Sequence, residues 1–160
     1  MIWLVALIFV LPFSLVLLYG APYLPTRQKQ AIQALRLLGL KKDELLVDLG
    51  CGDGAVLVQA AKQGIRGLGY EINPYIFMIA KVRTWRYRDL VTIKMSNYWN
   101  EPLPSDTGGV FVFLLDKYMA RLDKKLSGEL RPNTKLVSYS FEIPDKKIEK
   151  TVGPMHLYRY

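Results

Sequence analysis

No charged side chain precedes Arg27 in this chain of 160 residues, so the formal net charge of +8 belongs wholly to residues 27–160. Cysteine is almost absent. Cys51 stands alone, which excludes an intramolecular disulfide and gives no sign of an oxidising compartment. The single histidine, His156, lies in a short apolar-aromatic run with no metal-ligand cluster around it. It reads as a structural residue, and no metal is expected. Repeats and low-complexity stretches are also missing, and the length suits one domain.

What is present in excess is hydrophobicity, 51% of residues, concentrated at the N-terminal end. Residues 2–18 are apolar except for Pro12 and Ser14. About 20 such residues cross the hydrocarbon layer of a bilayer. Trp3 at one end and Tyr19 and Tyr23 at the other suit the two headgroup interfaces. A cleaved signal peptide needs a basic leading region and small residues at the cut, and neither is found. Residues 1–25 are therefore expected to form a transmembrane helix and connector, with residues 26–160 as the folded domain. Arg27, Lys29 and Arg36 flank only the C-terminal side, which predicts that the domain faces the cytoplasm.

Beyond the connector, short apolar runs alternate with helical patterns. Strands are predicted over 45–49, 66–71, 91–95, 110–115, 135–141 and 155–160. Helices are predicted from Thr26 to a stop at Gly39, over 55–63 with Gly64 as its cap, from Pro74 to about Tyr87 behind an Asn73 N-cap, and over 118–130. This alternation predicts an α/β fold, a doubly wound Rossmann-like sheet.

The sequence Asp48-Leu49-Gly50-Cys51-Gly52-Asp53-Gly54 follows a strand and opens a helix. Glycines there let backbone approach a ligand closely. Glu71, at the end of the second strand and roughly 20 residues on, is placed to accept hydrogen bonds from ribose hydroxyls. A dinucleotide would bring a pyrophosphate to this turn, where Asp48 and Asp53 would repel it. S-adenosylmethionine brings an ammonium and a sulfonium, which an acidic loop attracts.

Residues 47–54 resemble the first motif of class I methyltransferases. Gly69-Tyr70-Glu71-Ile72-Asn73-Pro74 carries a narrower signature. Together with the hydrophobic N-terminal segment and Ser138-Tyr139-Ser140-Phe141-Glu142-Ile143-Pro144, it resembles the small membrane-associated protein-lysine methyltransferases. That family includes enzymes acting on the c subunit of ATP synthase and on the adenine nucleotide translocase. The resemblance runs over most of the chain. It implies S-adenosylmethionine as cofactor and a membrane-associated protein with an accessible lysine as partner.

The cofactor residues expected on these grounds are Asp48, Gly50, Gly52, Asp53 and Gly54 around the methionine part and Glu71 on the ribose. Asn97, just past the third strand, stands where the superfamily meets the adenine amino group; the alternative is a simple turn asparagine. Trp99 suits either the adenine or the acceptor channel. Asp116 and Tyr118, after the fourth strand, are the candidate catalytic residues: Asp116 to orient a lysine amine, Tyr118 to line the channel. The alternative for Asp116 is a helix N-cap. The loop at 141–144 is a second candidate wall. Two other functions remain open: methylation of a small molecule or lipid, and a non-catalytic nucleic-acid or anionic-lipid binder, which the +8 charge motivates. The intact acidic loop argues against the latter, and nucleic acid is not the expected partner.

Overall fold

A computed structural model describes residues 26–160. The expected anchor over residues 1–25 lies outside the described residues, among which no helix is long and apolar enough to cross a membrane. The elements in chain order are α1 (Gln28–Leu38), β1 (Leu45–Leu49), α2 (Ala55–Ala61), β2 (Arg66–Glu71), α3 (Pro74–Thr84), β3 (Val91–Met95), β4 (Thr107–Val112), α4 (Met119–Glu129), β5 (Lys135–Tyr139), β6 (Lys150–Val152) and β7 (Met155–Arg159). Short 3-10 turns cover Trp85–Tyr87, Tyr98–Asn100 and Asp116–Tyr118.

Seven strands form one sheet in the order β3-β2-β1-β4-β5-β7-β6. The first five are parallel, as the βα alternation requires, and β7 runs antiparallel against both β5 and β6. A parallel strand buried on both faces carries no polar alternation, and β1 is buried at every position. Helices α1, α2 and α3 cover one face through Ala34, Leu35, Leu57, Ala60 and Ala80. The opposite face packs against α4 through Met119, Leu122 and Leu126. This is the doubly wound arrangement, and it brings the carboxyl ends of β1 to β4 to a single edge.

Several predicted boundaries move. The fourth strand is Thr107–Val112, not 110–115. Gly108 and Gly109 hid its start; a Cβ at either would press on Leu40 at 3.2 Å, so the α1–β1 connection packs closely over the two glycines. Phe113 to Leu115 then form the exit loop. The last helix begins at Met119 rather than at 118, behind the 3-10 turn. The fifth strand ends at Tyr139, because Ser140 turns to a left-handed conformation with its N–H on Pro154 O. Helix α2 ends at Ala61, and Gly64 is the left-handed turn residue leading to β2. Strand β6 was not predicted; it pairs with β7 across the Gly153-Pro154 turn.

Gly69 in the middle of β2 has a packing reason. A Cβ on it would meet Leu57 Cδ1 at 2.6 Å and Cys51 Sγ at 2.7 Å. The glycine loop after β1 thus folds back onto β2 only because Gly69 leaves space. Overpacking of this kind costs roughly 1–3 kcal/mol. Gly69→Ala is expected to lower the urea-unfolding free energy by about that amount, with an unchanged m value.

Candidate active site

The Asp48–Gly54 loop is closed by its own backbone. Gly50 and Cys51 N–H both donate to Tyr70 O, at 3.0 and 2.8 Å, continuing the β1–β2 ladder past the strand end. Gly50, Gly52 and Gly54 take positive φ values of 84°, 54° and 77°, which side chains with a Cβ rarely adopt. Gly54 also packs on α3, where a Cβ would lie 3.0 Å from Thr84 Cγ2. Gly50 is different. A Cβ built on it meets nothing within 4 Å, so its backbone faces open space.

Buried carboxyl groups belong to the same loop region. Glu71 is buried and clamps the loop: Oε2 accepts from Gly52 N–H at 3.1 Å and Oε1 from Asn73 N–H at 2.8 Å. Asn73 in turn caps α3 through Tyr75 and Ile76 N–H, with Pro74 at the first helical position, as the sequence predicts. Asp48 is 2% exposed, and none of the hydrogen bonds among the described residues reaches its carboxylate. Burial, then the charges of Glu71 and Asp53, push its pKa from 3.8 up to about 8. Burial likewise raises Glu71, against the lowering effect of its backbone donors. A cation placed beside these two groups would relieve both, and so the donor set suits a positively charged ligand.

Asp53 is used in another way. Its Oδ1 accepts from Ala55 N–H at 3.2 Å, and its Oδ2 forms an ion pair with Arg83 of α3. In this structure it braces the loop against α3. Arg83 had no signal in the sequence, since its partner lies across a helix pair.

At the next strand ends, Asn97 Oδ1 accepts from Trp99 N–H at 3.1 Å and caps the Tyr98–Asn100 turn. The turn role is therefore real, while its Nδ2 donors and second lone pair stay available. On either side of it, Ser96 Oγ and Tyr98 Oη are buried without a hydrogen-bond partner. The Trp99 ring lies 4.8 Å from Tyr98 and 6.4 Å from Tyr118, joining the turns after β3 and β4 in one aromatic row. Arg121 stacks 4.2 Å over Trp99 and Lys117 4.8 Å over Tyr118. These cations were not anticipated. Asp116 is exposed in the 3-10 turn, and no side chain caps the start of either that turn or α4. Its alternative reading as the N-cap is thereby corrected. The 141–144 loop is held by Ser138 Oγ donating to Phe141 O at 2.6 Å and Ile143 N–H donating to Tyr158 Oη at 2.9 Å.

Residues 48–150 match the family described as the ANTKMT methyltransferase domain. The human lysine N-methyltransferase of the ATP synthase c subunit is 30% identical over 77% of this chain, which spans 53% of that relative, about half its length. A protein-lysine N-methyltransferase of Saccharolobus islandicus is 32% identical, over 76% of this chain and 78% of its own. Among solved structures, an RNA methyltransferase from Salinibacter ruber in complex with S-adenosyl-L-homocysteine superposes with a TM-score of 0.79. It is 27% identical and covers 86% of this chain and 92% of its own.

The raised Asp48 pKa has a consequence for stability. Between 3.8 and about 8 the folded protein holds a proton that the unfolded chain has lost. Stability of the ligand-free protein must then fall as pH rises across that window, by up to about 1.4 kcal/mol per pH unit for one proton. Chemical unfolding of the wild type from about pH 5 to about pH 8 is expected to show this decline. The Asp48→Asn variant should show a shallower one, the remainder coming from Glu71.

Proposed function

The chain belongs to the ANTKMT methyltransferase domain family, and on that premise we propose that it transfers a methyl group from S-adenosylmethionine to a lysine side chain of a membrane-associated protein. The observation that carries this reading is the buried pair of carboxyl groups, Asp48 and Glu71, whose ionisation burial resists, beside the open backbone of Gly50. A cationic methyl donor supplies what the pair lacks, whereas a pyrophosphate would add to the repulsion. The relatives' names support lysine as acceptor, and the Salinibacter structure supports the cofactor through its bound S-adenosyl-L-homocysteine.

In this reading Gly50, Gly52 and Gly54 present backbone to the methionine part, Asp48 supplies negative potential, and Asp53, paired with Arg83, holds the loop in place for it. Glu71 accepts from the ribose through the lone pairs that Gly52 and Asn73 leave free, and Asn97 meets the adenine. The bound donor brings an already activated methyl group for in-line displacement, so the protein's part is positioning and desolvation. The acceptor lysine must arrive as a neutral amine. Arg121 and Lys117, flanking Trp99 and Tyr118, disfavour an ammonium there. Asp116 orients the amine and Tyr118 lines its path. Residues 1–25 anchor the chain in the membrane, with the domain on the cytoplasmic side.

Asp48→Ala and Glu71→Ala are each expected to reduce transfer from labelled donor at limiting cofactor by at least about 100-fold. Full activity in either variant would remove the site assignment. Membranes incubated with labelled donor decide the acceptor. Label in protein that survives as methyl-lysine on hydrolysis supports the proposal. Label confined to the organic extract would assign a lipid or small molecule. Label confined to RNA would follow the Salinibacter relative instead. Cofactor binding near neutral pH should also release a proton from Asp48. Calorimetry in two buffers of different ionisation enthalpy reads that release, and Asp48→Asn should abolish it.

A further inference from the structure

Helix α3 has an apolar outer face as well as an apolar inner one. Ala80 and Thr84 face α2 and the loop, while Tyr75, Met78, Ile79 and Val82 recur at helical spacing on the other side and Trp85 continues the row. Met78, Ile79, Val82 and Trp85 are 58%, 51%, 74% and 63% exposed. A surface helix of a soluble domain normally turns charge outward, as α1 does at Lys29 and Arg36. Ile72, at the edge of the cofactor loop, extends the row toward the site.

We propose that this face of α3 docks on an anionic lipid surface, lying in the headgroup plane. The geometry is that of an interfacial helix: a continuous apolar stripe, a tryptophan at its end and cations beside it. From Ile72 to Leu90 the chain carries Lys81, Arg83, Arg86 and Arg88 against one carboxylate, Asp89. Arg83 is balanced by Asp53, and Arg88 stacks 4.9 Å over Trp85. A second copy of the chain is the poorer occupant, since a two-fold contact would set Lys81, Arg86 and Arg88 against their own mates. Because the stripe begins beside Glu71, docking would hold the cofactor edge at the membrane surface. Such docking requires neither an anchor at residues 1–25 nor a particular methyl acceptor.

A nitroxide on Val82→Cys in the full chain tests it, with Ser127→Cys on α4, across the sheet, as the control. Cys51 is buried and its thiol is pushed well above the usual range, so it labels poorly. With vesicles of phosphatidylcholine and phosphatidylserine, the label at 82 should become severalfold more accessible to oxygen than to a water-soluble nickel chelate. The label at 127 should not change. Replacing phosphatidylserine by phosphatidylcholine should return the label at 82 toward chelate accessibility, whether or not residues 1–25 hold the chain on the vesicle. A vesicle-bound protein with position 82 still in water would overturn the proposal and leave the N-terminal segment as the membrane contact. Shielding of position 82 without vesicles would overturn it too, placing a protein surface on the stripe. Methyl transfer is not read in this experiment, so its failure leaves the proposed activity standing.

Discussion

Two backbone N–H groups, those of Gly50 and Cys51, end on one carbonyl, Tyr70 O, and this shared bond fixes the whole carboxyl edge. It extends the β1–β2 pairing by one step after the strand has stopped, turning the chain back over β2 before it enters α2. The turn needs left-handed backbone at three glycines and an empty position at Gly69 to receive Cys51. Once it is made, Asp48 and Glu71 are side by side on neighbouring strands, both buried. The buried carboxyl pair is thus a consequence of register. Asp48 aligns with Gly69 and Leu49 with Tyr70, so Glu71 emerges one residue above the point where the loop returns.

Such a pair works against the fold that creates it, because burial raises the cost of ionising both groups and the Glu71 charge adds to it at Asp48. Glu71 recovers part of that cost through Gly52 and Asn73 N–H. Asp48 has no such partner. This asymmetry divides the work: Glu71 holds the loop in shape, and Asp48 keeps an unmet demand for positive charge. Asp53 could have added a third negative group, but Arg83 neutralises it and ties the loop to α3. The helix that carries the proposed lipid-facing stripe is therefore mechanically coupled to the cofactor loop through Gly54–Thr84 packing and the Asp53–Arg83 pair.

Much of this was legible in the sequence. The β1 and β2 runs, the Asn73-Pro74 helix start and the Gly39 stop all come out as read, because each rests on a local signal that tertiary packing does not override. The parallel sheet followed from alternation alone. What failed was non-local. Thr107–Val112 carries Gly108 and Gly109 near its start, which give no apolar strand signal, and Leu40 passes close over both. Strand β6 is three residues with an exposed pattern and exists only as the partner of β7. The Asp53–Arg83 pair joins residues 30 apart in sequence and has no local signal. Asn97 was read both ways, and its side chain does cap a turn while remaining able to bond further.

The apolar outer face of α3 shows why a helix should be judged on both of its sides. Residues 74–84 read simply as a helix with a good cap, and their hydrophobicity would ordinarily be assigned to the core. The sheet, however, can bury only one side of a helix in this layer, and Ala80 and Thr84 already occupy that side against α2 and Gly54. Everything apolar on the other side must find a partner outside the domain or stay in water at a cost of about 25 cal/mol per Å². A basic flank makes a negatively charged interface the favourable partner. The same helix then acts in two directions, bracing the cofactor loop inward through Thr84 and Arg83 and offering its apolar row to the proposed lipid surface outward.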